Sequence, residues 1–202
     1  GQCSSNENIK ALLKKYKDMV VAEKELEAVR KQWRDITGKI QVTTPDKTMD
    51  IMLNGWLIYQ TISCRLWGRS GFYQSGGAYG FRDQLQDAVN IGMLMPEMLK
   101  NQILLHCSHQ FEEGDVLHWW HPVAENKGVR TRFSDDLLWL PYAVVEYIKY
   151  TGDNSILNIE VSYIKSEPLK EGEDERYGVP EKSSCTGTVY EHCVKAIDRS
   201  LK

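Results

Sequence analysis

Six helical segments, several of them strongly apolar, predict an all-α fold. Three observations carry that expectation. Apolar residues recur at three- and four-residue steps over residues 7–36, a second periodic stretch covers about 48–66, and a capping-box pattern at Thr188-Val-Tyr-Glu191 opens a last helix.

The first stretch places Ile9, Leu12, Tyr16, Met19, Leu26, Val29, Trp33 and Ile36 on one side, with Lys and Glu between them, and reads as one long helix. Gly38 is a helix stop, and Thr43-Thr44-Pro45-Asp46 reads as a break and restart. The second helix carries Met52, Trp56, Tyr59, Ile62 and Leu66. Helical spacing then stops at Trp67, and a run containing Gly68, Gly71, Gly76, Gly77 and Gly80 among four aromatics leads to Arg82-Asp83. Periodicity resumes with Leu85, Val89 and Gly92, and Pro96 starts a helix over 96–109, because proline is tolerated in a first turn. Residues 110–133 read as irregular. Ser134 or Asp135 caps a helix that runs to Tyr150 and stops at Gly152. Residues 153–187, with their acidic segment from Glu167 to Glu181, read as a solvated connection.

The 202 residues suffice for one domain with a sizeable core, or for part of a larger one. A net charge of −3 without a basic block gives nucleic-acid binding little support. No apolar run approaches the roughly 20 residues that span a bilayer, so no membrane contact is expected from this segment. Five scattered cysteines, never spaced Cys-x-x-Cys, fit reduced thiols in the cytoplasm. The first residue is not Met, and the last helix reaches Leu201-Lys202 with neither a Gly cap nor a Pro beyond, so truncation is expected.

The stretch from Arg65 to Asp87 offers the chain's most distinctive chemistry. Glycines allow sharp bends and close approach of a ligand, aromatics give flat apolar faces, and Arg82-Asp83 sets a forked donor beside an anionic acceptor. A polyhydroxylated ring suits that combination; a Gly-rich turn over a structural ion pair is the plainer alternative. Trp119 and Trp120, adjacent in His118-Trp-Trp-His-Pro122, either stack a sugar or pack a loop–helix junction. Arg130, Arg132, Asp135 and Asp136 put two guanidinium groups and two carboxylates just before a helix, although capping alone explains one Asp. Glu112, Glu113 and Asp115 supply further acids. His106, His109, His118 and His121 match no zinc frame and are expected in hydrogen bonds or in the core. There is no Ser-His-Asp frame, no Gly-Lys phosphate loop and no dinucleotide fingerprint.

These residues resemble the family 94 glycoside phosphorylases. The stretch Trp67-Gly-Arg-Ser-Gly-Phe-Tyr-Gln-Ser-Gly-Gly-Ala-Tyr-Gly-Phe-Arg-Asp-Gln-Leu-Gln-Asp87 is most similar to the branch of cellodextrin phosphorylase, β-1,2-oligoglucan phosphorylase and the phosphorylase-like domain of cyclic β-1,2-glucan synthase. Thr44-Pro-Asp46, Asn54-Gly-Trp-Leu57, Glu113 to Pro122, Gly128 to Pro141 and Tyr190-Glu-His-Cys193 match in the same order. The resemblance implies an (α/α)6 toroid, with residues 1–40 as linker helix and 41–202 as the first half of the barrel. It implies inverting phosphorolysis of β-linked gluco-oligosaccharides, with inorganic phosphate as co-substrate, no other cofactor, no metal, and homodimerisation open for the full-length protein. Arg82 and Asp83 match the pair that holds the sugar being cleaved. Trp119, Trp120, Arg130, Arg132, Asp135 and Asp136 match segments that face or support the cleft. The family's general acid sits in a Gly-Asp-Trp-Asn-Asp-Gly-like motif, and no Trp-Asn-Asp occurs here. The resemblance therefore implies no catalytic residue within this chain and a general acid downstream of Lys202. The chain alone is expected not to catalyse, and an open half-barrel is expected to aggregate. The phosphorylase-like domain of a cyclic β-1,2-glucan synthase, a non-catalytic carbohydrate-binding protein and a hydrolase using Asp136 or Glu113 are the alternatives.

Overall fold

The computed structural model describes residues 6–68, 77–121 and 127–201, in two units covering residues up to 55 and from 56 onward. In the first unit the expected long helix is two, α1 (Asn6–Tyr16) and α2 (Met19–Thr37). Asp18 causes the break: its backbone is extended, and its side chain accepts from Val20 N at 2.9 Å, capping a fresh helix. Most of the periodic apolar residues in this pair, from Ile9 to Val29, are exposed, whereas Ile36 is buried. Gly38 ends α2, and Asp46 caps α3 (Lys47–Ile51), as the Pro-Asp restart suggests. Asn54 anchors the connection between them. Its side chain accepts from Val42 N and donates to Val42 O, both at 2.8 Å.

After α3 come a π-helical turn (Met52–Trp56), α4 (Leu57–Gln60) and a second π-helical segment (Thr61–Trp67). The second unit then takes up β1 (Tyr79–Gly80), α5 (Phe81–Ile91) and α6 (Pro96–Cys107). Next are β2 (Leu117–His121), β3 (Lys127–Thr131), a 3-10 turn (Asp136–Leu138) and α7 (Trp139–Thr151). A second 3-10 turn (Asn154–Asn158), β4 (Glu160–Lys165), β5 (Glu175–Gly178), β6 (Glu181–Thr188) and α8 (Val189–Ser200) complete it. Gly71 and Gly76 of the glycine-aromatic run, and Pro122, lie outside the described residues. So does Lys202, beyond which the resemblance puts the general acid, and the structure leaves that expectation untouched.

Helices predominate, with strands set between them. The stretch 110–133, expected to be irregular, holds a β-hairpin, and the connection 153–187 holds three strands. One antiparallel sheet runs β1-β2-β3-β5, and β4 pairs with β6 in a second. The strands escape a reading by periodicity because they are short, rich in charge and interrupted by register shifts after Leu117 and after Ser162.

The core of this unit lies where α5, α6 and α7 meet the first sheet. Phe81, Leu85, Leu99, Ile103, Leu117, Trp120 and Leu140 are fully or almost fully buried there. Gln110 ties α8 down: its amide donates to Gly114 O and His192 O, while its carbonyl oxygen receives His192 Nδ1–H at 2.6 Å. Burial outweighs the pull of the Val161 carbonyl on that imidazole and holds it down at about 4. Gly114 is obligatory at this contact. Its φ is +97°, and a Cβ would stand 2.6 Å from Lys195 O. The capping box at Thr188 and Glu191 forms as its sequence pattern indicates.

β2 separates the two tryptophans. Trp120 has no exposed surface; it stacks on His109 at 4.0 Å between ring centres and meets His106 and Tyr79 edge-on. Trp119 points to the other side, against Tyr177 and His121. Trp120→Ala is expected to cost about 3–5 kcal/mol of unfolding free energy. Trp119→Ala should cost less than about 1 kcal/mol. Denaturant unfolding of the two variants measures the difference.

Candidate functional site

The antiparallel pairing of β1 with β2 sets Gly80 opposite Trp119, and α5 begins at the next residue. Arg82 and Asp83, in the first turn of α5, are thereby held beside β2. Gly80 leaves room at the junction for the Asp83 side chain. A Cβ there would stand 2.5 Å from Asp83 Oδ2, so the short carboxylate folds back over a residue without a side chain. Asp83 is exposed, and Arg82 pairs with Asp135 through its guanidinium, with both side chains open to solvent.

Next to this pair lies a second one. His118 Nδ1 is 2.6 Å from Asp136 Oδ2, and Asp136 is almost completely buried. A carboxylate can only accept, so Nδ1 carries the hydrogen. Among the described residues Asp136 Oδ1 is buried without a hydrogen-bond partner, which leaves His118 as the hydrogen-bonded counterpart of that charge. The Asp136 carboxylate raises the His118 pKa above its ordinary value of 6.5, against desolvation and the Arg82 charge. Phe133 packs on the imidazole at 4.8 Å. The sequence placed His118 only among hydrogen-bonding or core histidines. Its distinguishing mark is a β-bulge: Leu117 pairs with Arg130 and Trp119 with Val129, so His118 is the extra residue and its side chain is turned out of the strand's alternation.

The remaining sequence candidates divide by burial. Asp135 caps nothing with its side chain; it is the partner of Arg82. Trp120 is sealed in the core, with no exposed face. Trp119 keeps partial exposure beside the exposed Tyr177.

Arg130 lies in the interior. It is 3% exposed, grips Asp115 through two bonds of 2.7 and 2.8 Å, and reaches Glu113 at 2.9 Å and the Ser166 carbonyl at 3.2 Å. Its guanidinium also lies over the Phe111 ring, 3.8 Å from the ring centre. Glu113, considered above as a hydrolytic carboxylate, is therefore engaged in an ion pair. Arg132 serves a similar structural purpose at the surface, donating to the carbonyls of Leu169, Lys170 and Glu173. Among the described residues no three His, Cys, Asp or Glu side chains converge on a metal position. The arrangement that can meet a ligand is thus Arg82, Asp83, Asp135 and His118 over Asp136: forked donors, anionic acceptors and a titratable ring within one exposed cluster.

The two arginines respond differently to removal. Arg130→Ala leaves Asp115 buried and unpaired and is expected to cost about 3–5 kcal/mol of stability. Arg82→Ala, which breaks an exposed pair, should cost about 1 kcal/mol or less. Thermal unfolding of the two variants checks the contrast. In the same proteins the His118 ring is expected to titrate above the ordinary histidine value, and Asp136→Asn to return it toward 6.5, as read from its Cε1–H resonance. Because the folded-state value is raised, the stability this pair contributes is complete below about pH 6.5 and is lost as pH rises through the folded-state value.

Residues 32–202 match the profile of the glycosyl hydrolase 94 superfamily, catalytic domain. The chain is 44% identical over 176 residues to the cyclic beta-(1,2)-glucan synthase NdvB of Rhizobium meliloti (strain 1021), covering 87% of this chain and 6% of that protein. It is 27% identical over 222 residues to the N,N'-diacetylchitobiose phosphorylase of Vibrio furnissii, covering 96% of this chain and 26% of the relative. It is also 27% identical over 197 residues to the solabiose phosphorylase of Paenibacillus borealis, covering 98% and 22%. The chain thus spans about a quarter or less of the length of these relatives. With residues 32–202 matched by one profile, the chain belongs to the glycosyl hydrolase 94 superfamily through that superfamily's catalytic domain.

Proposed function

We propose that this segment is the sugar-holding part of an inverting glycoside phosphorylase that cleaves β-linked gluco-oligosaccharides with inorganic phosphate and releases α-glucose 1-phosphate. One observation carries the reading: Arg82 and Asp83, adjacent in one helical turn, present a guanidinium and a carboxylate at an exposed cluster shared with Asp135 and His118. A glucosyl ring offers hydroxyl groups that both donate and accept. Arg82 supplies N–H donors to them and Asp83 supplies acceptor oxygens, fixing the ring while its anomeric carbon reacts. Phosphate attacks that carbon from the face opposite the leaving oxygen. One carboxylic acid protonates the leaving oxygen, and phosphate takes the place of the base-activated water, so one protein carboxyl suffices.

No carboxylate of this chain is assigned the acid's role. Glu113 is held by Arg130, Asp136 is held by His118, and the Trp-Asn-Asp element associated with the acid does not occur in the sequence. The segment by itself is accordingly proposed to bind sugar without turning it over, with the acid supplied from outside residues 1–202. The helices α5 to α8 are read as consecutive members of an (α/α)6 toroid, with the strands as insertions at its rim. Scattered thiols suit a reducing, cytoplasmic setting, and no described helix is long and apolar enough to cross a membrane.

A second reading has its own support. The 44% identity to the glucan synthase exceeds the 27% identity to the two phosphorylases, which favours a phosphorylase-like domain of a cyclic β-1,2-glucan synthase. Both readings keep the same cluster and differ in the linkage and in what surrounds the domain.

The test uses the full-length protein that carries this segment, with cellotriose and β-1,2-linked glucotriose as substrates, each with and without inorganic phosphate. The expected result is α-glucose 1-phosphate that appears only when phosphate is present. Preference for the β-1,2 linkage would select the second reading, and free glucose released without phosphate would overturn both. Asp83→Asn, which weakens a charge-assisted bond to the ring, should lower kcat/KM by about 10- to 100-fold. Gly80→Ala should lower it in the same direction by displacing the Asp83 carboxylate.

A further inference from the structure

We propose that His118 is a sugar-contacting residue of this cluster, held by Asp136 and Phe133 so that its Nε2–H donates a hydrogen bond to a ring hydroxyl. The proposal rests on the carbohydrate reading above and assigns a contact at the same site.

Four observations point to it. The bulge in β2 takes His118 out of the alternation that buries Leu117 and Trp120, and gives its ring partial exposure. Asp136, on the 3-10 turn, fixes Nδ1 as a donor at 2.6 Å, and Phe133 covers one face of the ring, so rotation of the imidazole is restricted from two sides. The other nitrogen, Nε2, has no hydrogen-bond partner among the described residues. A buried carboxylate whose Oδ1 has no partner is costly unless the ring it holds remains in place and carries positive charge.

The charges around the ring favour that state. His118 faces Asp136 from the 3-10 turn and Arg82 and Asp83 from the start of α5, and Asp135 is bonded to Arg82. Three carboxylates against one guanidinium leave the neighbourhood short of donors. A doubly protonated imidazole supplies one, and a glucose hydroxyl that accepts from Nε2–H can pass its own hydrogen on to Asp83 or Asp135. The neutral ring, with Nδ1–H committed to Asp136, offers Nε2 only as an acceptor. Sugar binding should therefore weaken as His118 loses its second proton.

Calorimetry on the full-length protein tests this with cellotriose and β-1,2-linked glucotriose, from about pH 5.5 to about pH 9. Wild-type affinity is expected to fall about tenfold as pH rises through the His118 titration. His118→Gln should bind at the wild type's high-pH level throughout, without that dependence. Asp136→Asn should move the midpoint down toward the ordinary histidine value. Should His118→Gln fail to fold, as read by its thermal transition, His118→Asn and the midpoint shift in Asp136→Asn carry the test. Affinity and pH dependence unchanged in the folded His118 variant would overturn the proposal while leaving the carbohydrate reading intact. A wild type that binds neither sugar would overturn the carbohydrate reading, and this contact with it.

Discussion

One extra residue in β2 governs how this unit meets its surroundings. A strand that alternated without interruption from Leu117 would turn Trp119, not Trp120, toward the side that Leu117 faces. The bulge at His118 resets the count, so Leu117 and Trp120 both enter the core while His118 is directed to Asp136. The same strand pairs with β1, and β1 leads without a linker into α5. The position of Arg82 and Asp83 is therefore set by backbone hydrogen bonds to β2, not by the side chains that ultimately surround a ligand. A site supported in this way keeps its geometry before any ligand arrives.

Charge is sorted by depth. Arg130 and Arg82 sit near the same acidic segments, yet one is sealed against Asp115, Glu113 and backbone carbonyls while the other meets a single exposed carboxylate. A buried guanidinium must satisfy all of its donors internally, and Arg130 uses both edges of its fork and its flat face to do so. It ties β3 to the turn after α6 and to the segment that follows β4. Arg82 has donors in reserve because water satisfies them, and water can be exchanged for hydroxyl groups. The distinction between a structural and a ligand-facing arginine here is one of solvent access.

Exposed apolar side chains run along the N-terminal helices from Ile9 to Trp67, and recur at Tyr142 and Val145 on α7 and at Tyr190, Val194, Ile197 and Leu201 on and just after α8. Surface of this kind is costly to leave in water. The chain spans about a quarter or less of the length of these relatives.

The sequence by itself determined the helices and the family. Helical spacing, the Asp46 restart, Pro96 and the Thr188–Glu191 box are local signals, each depending on backbone within a few residues, and each is where the chain pattern puts it. The motif from Trp67 to Asp87 was legible for the same reason, since glycines and an adjacent Arg-Asp pair are visible without any long-range contact. Tertiary structure decided what lies between. The strands of 117–188 are stabilised by partners far away in sequence, and they leave no periodic trace strong enough to read. Only the fold could tell Trp119 from Trp120, or Arg82 from Arg130, because burial and ion pairing are properties of neighbours brought together across tens of residues. His118 belongs to that second group: a single bulge, invisible in composition, turns an ordinary histidine toward a buried carboxylate.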